Sequence, residues 1–271
     1  MEIILTLKED ITVPVELDAL LPEKIDNMDV EEIKNIKIPQ GRTTVKVGEL
    51  FDVEIRESDT PKMTIKNSSI KLKRVGEGMT TGEIVIEGDV GMHVGAEMKG
   101  GRIVVNGNAD NWAGRGMKGG ELVIKGNAGN YVGSAYRGGY WGMSGGTIVI
   151  EGNAGHEIGE YMTGGKIHIK GNVGYFAGIH AKGGLIVIDG DVPGRLGAEM
   201  IKGAIVVNGK VSEILPSFKY KGIVENPVIK IKKKDEGTKI EGVYHMFAGD
   251  YVNNKPKGQL YISVDRNPHL G

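Results

Sequence analysis

The sequence predicts a mainly β protein: a right-handed parallel β-helix, a single-stranded solenoid of about seven 19-residue coils, with a small α+β N-terminal cap and an extended C-terminal segment. Three observations carry that prediction. The first is a repeat in which Met79, Met98, Met117, Met143, Met162 and Met200 recur at one position, with Ala181 standing in once. Each step is 19 residues, except for 26 between Met117 and Met143, where seven residues are inserted near Ser134 to Gly142. The second is a short aliphatic run in every copy, such as Ile103-Val104-Val105 or Ile148-Val149-Ile150. The third is a glycine pair before the run, as at Gly119-Gly120, which reads as a corner because glycine tolerates φ > 0. Helical repeats need about 33 residues or more, so short strands between glycine corners are the reading that fits.

The columns agree. Stacked strands lie about 4.7–4.9 Å apart, so equivalent residues become neighbours. Pairs such as Ile84/Ile86, Leu122/Ile124 and Ile205/Val207 are expected to point inward, with a second inward column from Val90 and Ala109 through Val211. Asn108, Asn127, Asn153 and Asn172 form a candidate amide ladder. Charges alternate along Glu83, Arg102 and Glu121, and along Lys125, Glu151, Lys170 and Asp189, as adjacent strands favour.

In chain order, residues 1–62 read as the α+β cap. Glu2 to Leu7, Ile11 to Leu17, Thr43 to Val47 and Phe51 to Ile55 read as strands, with Gly48 between the last two. Asp29-Val30-Glu31-Glu32 has the spacing of a capping box and predicts a helix of one or two turns. Residues 63–218 are the solenoid, with Met63 to Lys73 as a degenerate coil before the first full one. Residues 219–271 leave the pattern. Their basic run Lys230-Ile231-Lys232-Lys233-Lys234 reads as a solvated strand edge, and Tyr244, Met246, Phe247, Tyr251 and Tyr261 predict packing on the solenoid or on a partner.

Chemistry-bearing patterns are sparse. A net charge of −1 gives no general pull toward nucleic acid or anionic membranes. Without cysteine, the chain has no thiolate for an iron–sulfur cluster, no cysteine nucleophile and no disulfide. The absence of a signal-peptide pattern or a long apolar run predicts a cytoplasmic protein with no membrane insertion. Gly126 to Gly133 resembles a loose dinucleotide motif, but its recurrence marks it as architecture. The six histidines make no metal-ligand spacing, and Glu157 with Glu160 is a carboxylate pair that nothing sets apart from a solvated face. No catalytic, cofactor-binding or metal-binding residue is therefore assigned.

Surfaces say more. The middle residue of each strand triplet should face outward, yet it is Val85, Val104, Val123, Val149, Val187 and Val206, with His168 the exception. Such a stripe predicts cover by a terminal segment or another protein. Trp112, Tyr131 and Phe176 share a column with His93, and the insertion adds Tyr136, Tyr140 and Trp141. Aromatic residues anchor protein interfaces, so Trp112, Tyr131, Tyr136, Tyr140, Trp141 and Phe176 form the candidate partner interface.

The repeat Met-x-Gly-Gly-x-Ile-x-Ile-x-Gly-Asn-Ala-Gly resembles the glycine-patterned β-helix at the end of the glutamate synthase large subunit. The stretch from Ile38 to Val53 narrows the match, because it resembles the C subunit of formylmethanofuran dehydrogenase. That resemblance implies a non-catalytic scaffold in a cytoplasmic complex that reduces carbon dioxide and transfers the formyl group to methanofuran, the first step of methanogenesis. It also implies partners that carry the chemistry: a pterin-binding subunit with tungsto- or molybdopterin and iron–sulfur clusters, an amidohydrolase-like subunit with a metal pair, and ferredoxin-like chains. Three rivals remain: the scaffold of a bacterial formyltransferase/hydrolase complex, a free-standing glutamate synthase β-helix chain, and a carbohydrate-active β-helix enzyme.

Overall fold

A computed structural model describes residues 1–230 and 236–270 of the chain. The protein is mainly β, and a 13-stranded sheet runs through it. Its middle consists of the repeat strands Glu83–Gly88, Arg102–Val105, Glu121–Ile124, Thr147–Ile150, Lys166–Ile169, Lys182–Ile188 and Lys202–Val207, each parallel to the next. The register matches equivalent residues, with Ile103 opposite Leu122, Leu122 opposite Ile148, and Ile148 opposite Ile167. The second column is bridged as well, through Val90, Ala109, Ala128 and Ala154, and through Val192 and Val211. Each repeat thus adds two fully buried aliphatic side chains from its strand, each worth about 1.5–3 kcal/mol. The methionine column is also fully buried.

The two glycines of a corner do different work. Gly120 has φ +80, a conformation that side chains resist, whereas Gly119 is held by proximity. A Cβ on Gly119 would lie 2.3 Å from the carbonyl oxygen of Lys99 in the preceding repeat.

The asparagine ladder forms, and it runs mainly from side chain to backbone. The Oδ1 atoms of Asn108, Asn127 and Asn153 each accept from the backbone N–H of the next member, at 2.8 Å. Aspartates extend the ladder at both ends, since Asp89 accepts from Asn108 N–H and Asp191 accepts from Lys210 N–H. A parallel ladder links Asn111, Asn130, His156 and Tyr175. The charge columns pair as well: Arg102 bridges Glu83 and Glu121, and Glu151 bridges Lys125 and Lys170. Asp189 instead takes His168 and Asn208.

The N-terminal residues close one end of the stack. Strand Glu2–Leu7 lies parallel to Lys62–Ser68, which in turn lies parallel to the first repeat strand, so Met63 meets Ile84 as a leading rung. Phe51–Arg56 is the antiparallel edge. Helix Val30–Asn35 begins at Asp29 with both halves of the capping box formed. The strand expected over Ile11 to Leu17 shrinks to Val15–Glu16, where Pro14 supplies no N–H to extend the ladder. Gly48 lies in a one-turn helix, Val47–Leu50, rather than in a simple link; its missing Cβ leaves room for Lys34 of the neighbouring helix.

The other end is closed by Lys257–Ser263, an added parallel rung that places Leu260 against Ile205. Val243–Gly249 and Lys219–Glu225 follow as antiparallel strands. Phe218, Phe247, Leu260 and Ile262 finish a core that is continuous back to Ile3. Tyr244, Tyr261 and Ile229 pack over Val187 and Val206, so the C-terminal segment covers the last part of the valine stripe. Of the basic run, Ile231 to Lys234 lie outside the described residues.

Candidate functional site

The candidate residues fall into two clusters and one separate position. In the first cluster, His93, Trp112 and Tyr131 occupy one corner of successive repeats, all in the left-handed conformation. Stacking then brings their rings face to face: His93 to Trp112 at 5.5 Å, and Trp112 to Tyr131 at 4.8 Å. Tyr136, from the insertion, tilts against Trp112 at 6.1 Å, and the guanidinium of Arg115 sits 5.5 Å from the Tyr136 ring centre. The column is not aromatic throughout. Glu157 occupies the next repeat, so Phe176 stands apart, with Arg195 5.3 Å above its ring.

The insertion is anchored at its base. The backbone N–H of Met143 donates to the carbonyl of Gly133 at 2.8 Å, closing the excursion. Buried Ser134 donates to the carbonyl of Glu157 and accepts from Glu160 N–H. Its rings nonetheless reach solvent: Tyr136, Tyr140 and Trp141 are 55%, 61% and 75% exposed.

Tyr140 and Trp141 belong to the second cluster. Tyr140 meets Tyr161 edge-on at 5.3 Å, and Tyr161 stacks on His180 at 4.5 Å. Lys182 lies near the faces of both Trp141 and Tyr161. Burial, then the charge of Glu157, pushes the Glu160 carboxyl up from its usual range.

Beside the first cluster is a cleft of about 160 Å³, lined by Arg74, Glu77, His93, Arg115 and Tyr136. Glu77 accepts from both guanidiniums, at 2.7 Å from Arg74 and 3.2 Å from Arg115. Glu16 and Glu97 take the remaining partnered N–H groups. Burial, then Arg115 and Arg74, pulls the His93 pKa down to about 4. His93 Nδ1, Trp112 Nε1 and Arg115 Nε are buried without a hydrogen-bond partner.

Sequence reasoning missed this cleft and the Tyr161–His180 pair, although a signal existed. Arg74, His93 and Trp112 are 19 residues apart, as are Tyr161, His180 and Glu199. Among the described residues, no group of three or more His, Cys, Asp or Glu side chains could hold a metal ion. The sequence offers no thiolate to an iron–sulfur cluster. Among the described residues, no helix is long and apolar enough to cross a membrane.

No protein-family model matches the chain. It is 63% identical to the C subunit of tungsten-containing formylmethanofuran dehydrogenase 2 from Methanococcus maripaludis, over 99% of both chains. To the protein of the same description from Methanocaldococcus jannaschii it is 75% identical over 236 residues, 87% of this chain and 86% of that one. Among solved structures, it resembles a chain of the formyltransferase/hydrolase complex from Methylorubrum extorquens in complex with methylofuran. The TM-score is 0.83 at 28% identity, covering 96% of this chain and 99% of that one. With likeness spanning nearly the whole length of both sequences, the chain belongs to the family of formylmethanofuran dehydrogenase C subunits.

Proposed function

We propose that this chain is a non-catalytic scaffold of a formylmethanofuran dehydrogenase, built as a right-handed parallel β-helix whose ends are closed by residues 1–62 and 219–271. The observation that carries the reading is where the polar side chains are used. The asparagine, charge and Ser134 contacts join one repeat to the next, while exposed aromatic rings gather on an insertion that the repeat does not need. A chain organised in this way presents a surface rather than a reaction centre.

In this reading, carbon dioxide reduction and formyl transfer to methanofuran belong to partner subunits in the cytoplasm. A pterin-binding subunit with tungsto- or molybdopterin and iron–sulfur clusters, an amidohydrolase-like subunit with a metal pair, and ferredoxin-like chains carry that chemistry. The names of the two archaeal relatives favour the tungsten form. Trp112, Tyr131, Tyr136, Tyr140 and Trp141 form the partner interface, with Phe176 on a separate part of the same surface.

A second reading, the scaffold of a formyltransferase/hydrolase complex, is favoured by the structural likeness to the Methylorubrum chain. Purification through a tag on this chain from its native cells, with mass spectrometry of what remains bound, separates the two. Recovery of a pterin-binding subunit supports the dehydrogenase. An amidohydrolase and a formyltransferase without it support the second reading, and a chain recovered alone contradicts both.

A further inference from the structure

The sequence Ile-Val-Val-Asn-Gly occurs twice, as Ile103 to Gly107 and as Ile205 to Gly209, at the same place in two repeats. In each copy the strand ends at the second valine and the asparagine opens the corner. Asparagine before glycine is the pairing most open to attack by the main chain on its own side chain, because glycine puts no Cβ beside the attacking nitrogen. The two main chains are held alike: Asn106 N–H donates to the Ile86 carbonyl and Asn208 N–H to the Ile188 carbonyl, both at 2.8 Å. Their side chains are not. Asn208 Nδ2 donates to Asp189 Oδ1 at 2.7 Å, and Asn208 Oδ1 accepts from the Tyr244 hydroxyl at 2.8 Å. Asn106 is exposed, and among the described residues its side-chain amide makes no hydrogen bond.

We infer that Asn106 is a site of spontaneous deamidation and isoaspartate formation, and that the same motif at Asn208 is protected by Asp189 and Tyr244. The Gly107 backbone nitrogen attacks Asn106 Cγ. A C–N bond forms, the Cγ–Nδ2 bond breaks, and the amide nitrogen leaves as ammonia with the Gly107 N–H proton. Water then opens the cyclic imide. Cleavage at Cγ gives aspartate, and cleavage at the main-chain carbonyl gives isoaspartate, so one water is consumed, one ammonia is released and nothing is oxidised. The new carboxylate lies beside Lys125, whose backbone N–H donates to the Val105 carbonyl. The isoaspartyl product also lengthens the main chain between strand and corner. Little slack exists there, since a Cβ on Gly107 would lie 2.5 Å from the backbone of Gly88. The inference is independent of the scaffold reading.

The test is incubation of the folded full-length chain at mildly alkaline pH in water enriched in heavy oxygen, followed by peptide mass spectrometry. Isoaspartate is read separately, as methyl transfer from labelled S-adenosylmethionine by a protein isoaspartyl methyltransferase. The Asn106 peptide should gain heavy oxygen and accept methyl groups. It should convert at least about tenfold faster than the Asn208 peptide, because freeing Asn208 breaks two hydrogen bonds. Asn106→Gln, which keeps an amide but disfavours the five-membered ring, should remove the signal. Tyr244→Phe, with the fold intact by circular dichroism, should speed conversion at Asn208 about twofold to tenfold. An Asn106 that stays intact while the urea-unfolded chain converts overturns the inference, since the stack itself would then protect the site. Equal rates at Asn106 and Asn208, or no response of Asn208 to Tyr244→Phe, overturn the protecting role of the side-chain hydrogen bonds.

Discussion

The indole of Trp112 lies nearly flat on the ring of Tyr131, with 13° between their planes and 4.8 Å between their centres. Nineteen residues of chain separate the two, and the contact exists because each repeat returns the backbone to the same corner. Aromatic pairs of this geometry contribute about 0.5–1.5 kcal/mol beyond the area they bury. A double-mutant cycle on Trp112→Ala and Tyr131→Ala, read by urea denaturation, should return a coupling in that range. Additive effects would mean that the rings stack without stabilising each other.

Gly119 tests the spacing between repeats. Its Cβ would meet the Lys99 carbonyl at 2.3 Å, so Gly119→Ala must push two rungs apart. The expected loss exceeds about 2 kcal/mol in chemical denaturation, at the severe end for an added methyl group. An unaltered midpoint would show that the corner relaxes freely.

The pH dependence of stability should have two opposed components. The folded chain holds His93 neutral, with its pKa lowered from 6.5 to about 4 by burial first, then by Arg115 and Arg74. The unfolded chain therefore binds an extra proton in that window. The His93 contribution is complete above pH 6.5 and is lost as the pH falls toward 4. Glu160 has the opposite sign: burial and Glu157 raise its pKa above 4.5, so its contribution is present below that value and is lost as the pH rises through the folded value. His93→Phe should flatten the acid-side decline, and Glu160→Gln should stabilise the protein near neutrality. Denaturation midpoints between about pH 4 and 8 check both.

Trp141 and Tyr140 test the outer rim. Both are well exposed, so replacing either with alanine should change stability by no more than about 0.5 kcal/mol. The same replacements should lower the yield of assembled complex in co-purification. Unchanged assembly would remove the insertion tip from the interface.

Much of this arrangement was legible from period alone. Once Met98, Met117 and Met143 are aligned, the inward columns, the Glu83–Arg102–Glu121 charge column, the Lys125–Glu151–Lys170 part of the other and the Trp112–Tyr131 neighbourhood follow, because repeats in register convert sequence spacing into contact. Legibility failed where the spacing changes. Lys257-Gly258-Gln259-Leu260-Tyr261-Ile262 mirrors Lys202-Gly203-Ala204-Ile205-Val206-Val207, yet the two are 55 residues apart, and a hairpin must intervene before they pair. The cleft failed for a related reason: Arg74 lies at the edge of the degenerate first coil, and Tyr136 arrives from the insertion. Phe176 shows the opposite error, since a shared column does not bring two rings together when Glu157 lies between them.

The scaffold claim is tested most directly by co-expressing the remaining subunits with and without this chain, then weighing the products by native mass spectrometry. The account predicts one complete assembly when the chain is present, and smaller assemblies that retain their own cofactors when it is absent. A complete and fully active assembly formed without the chain would contradict it.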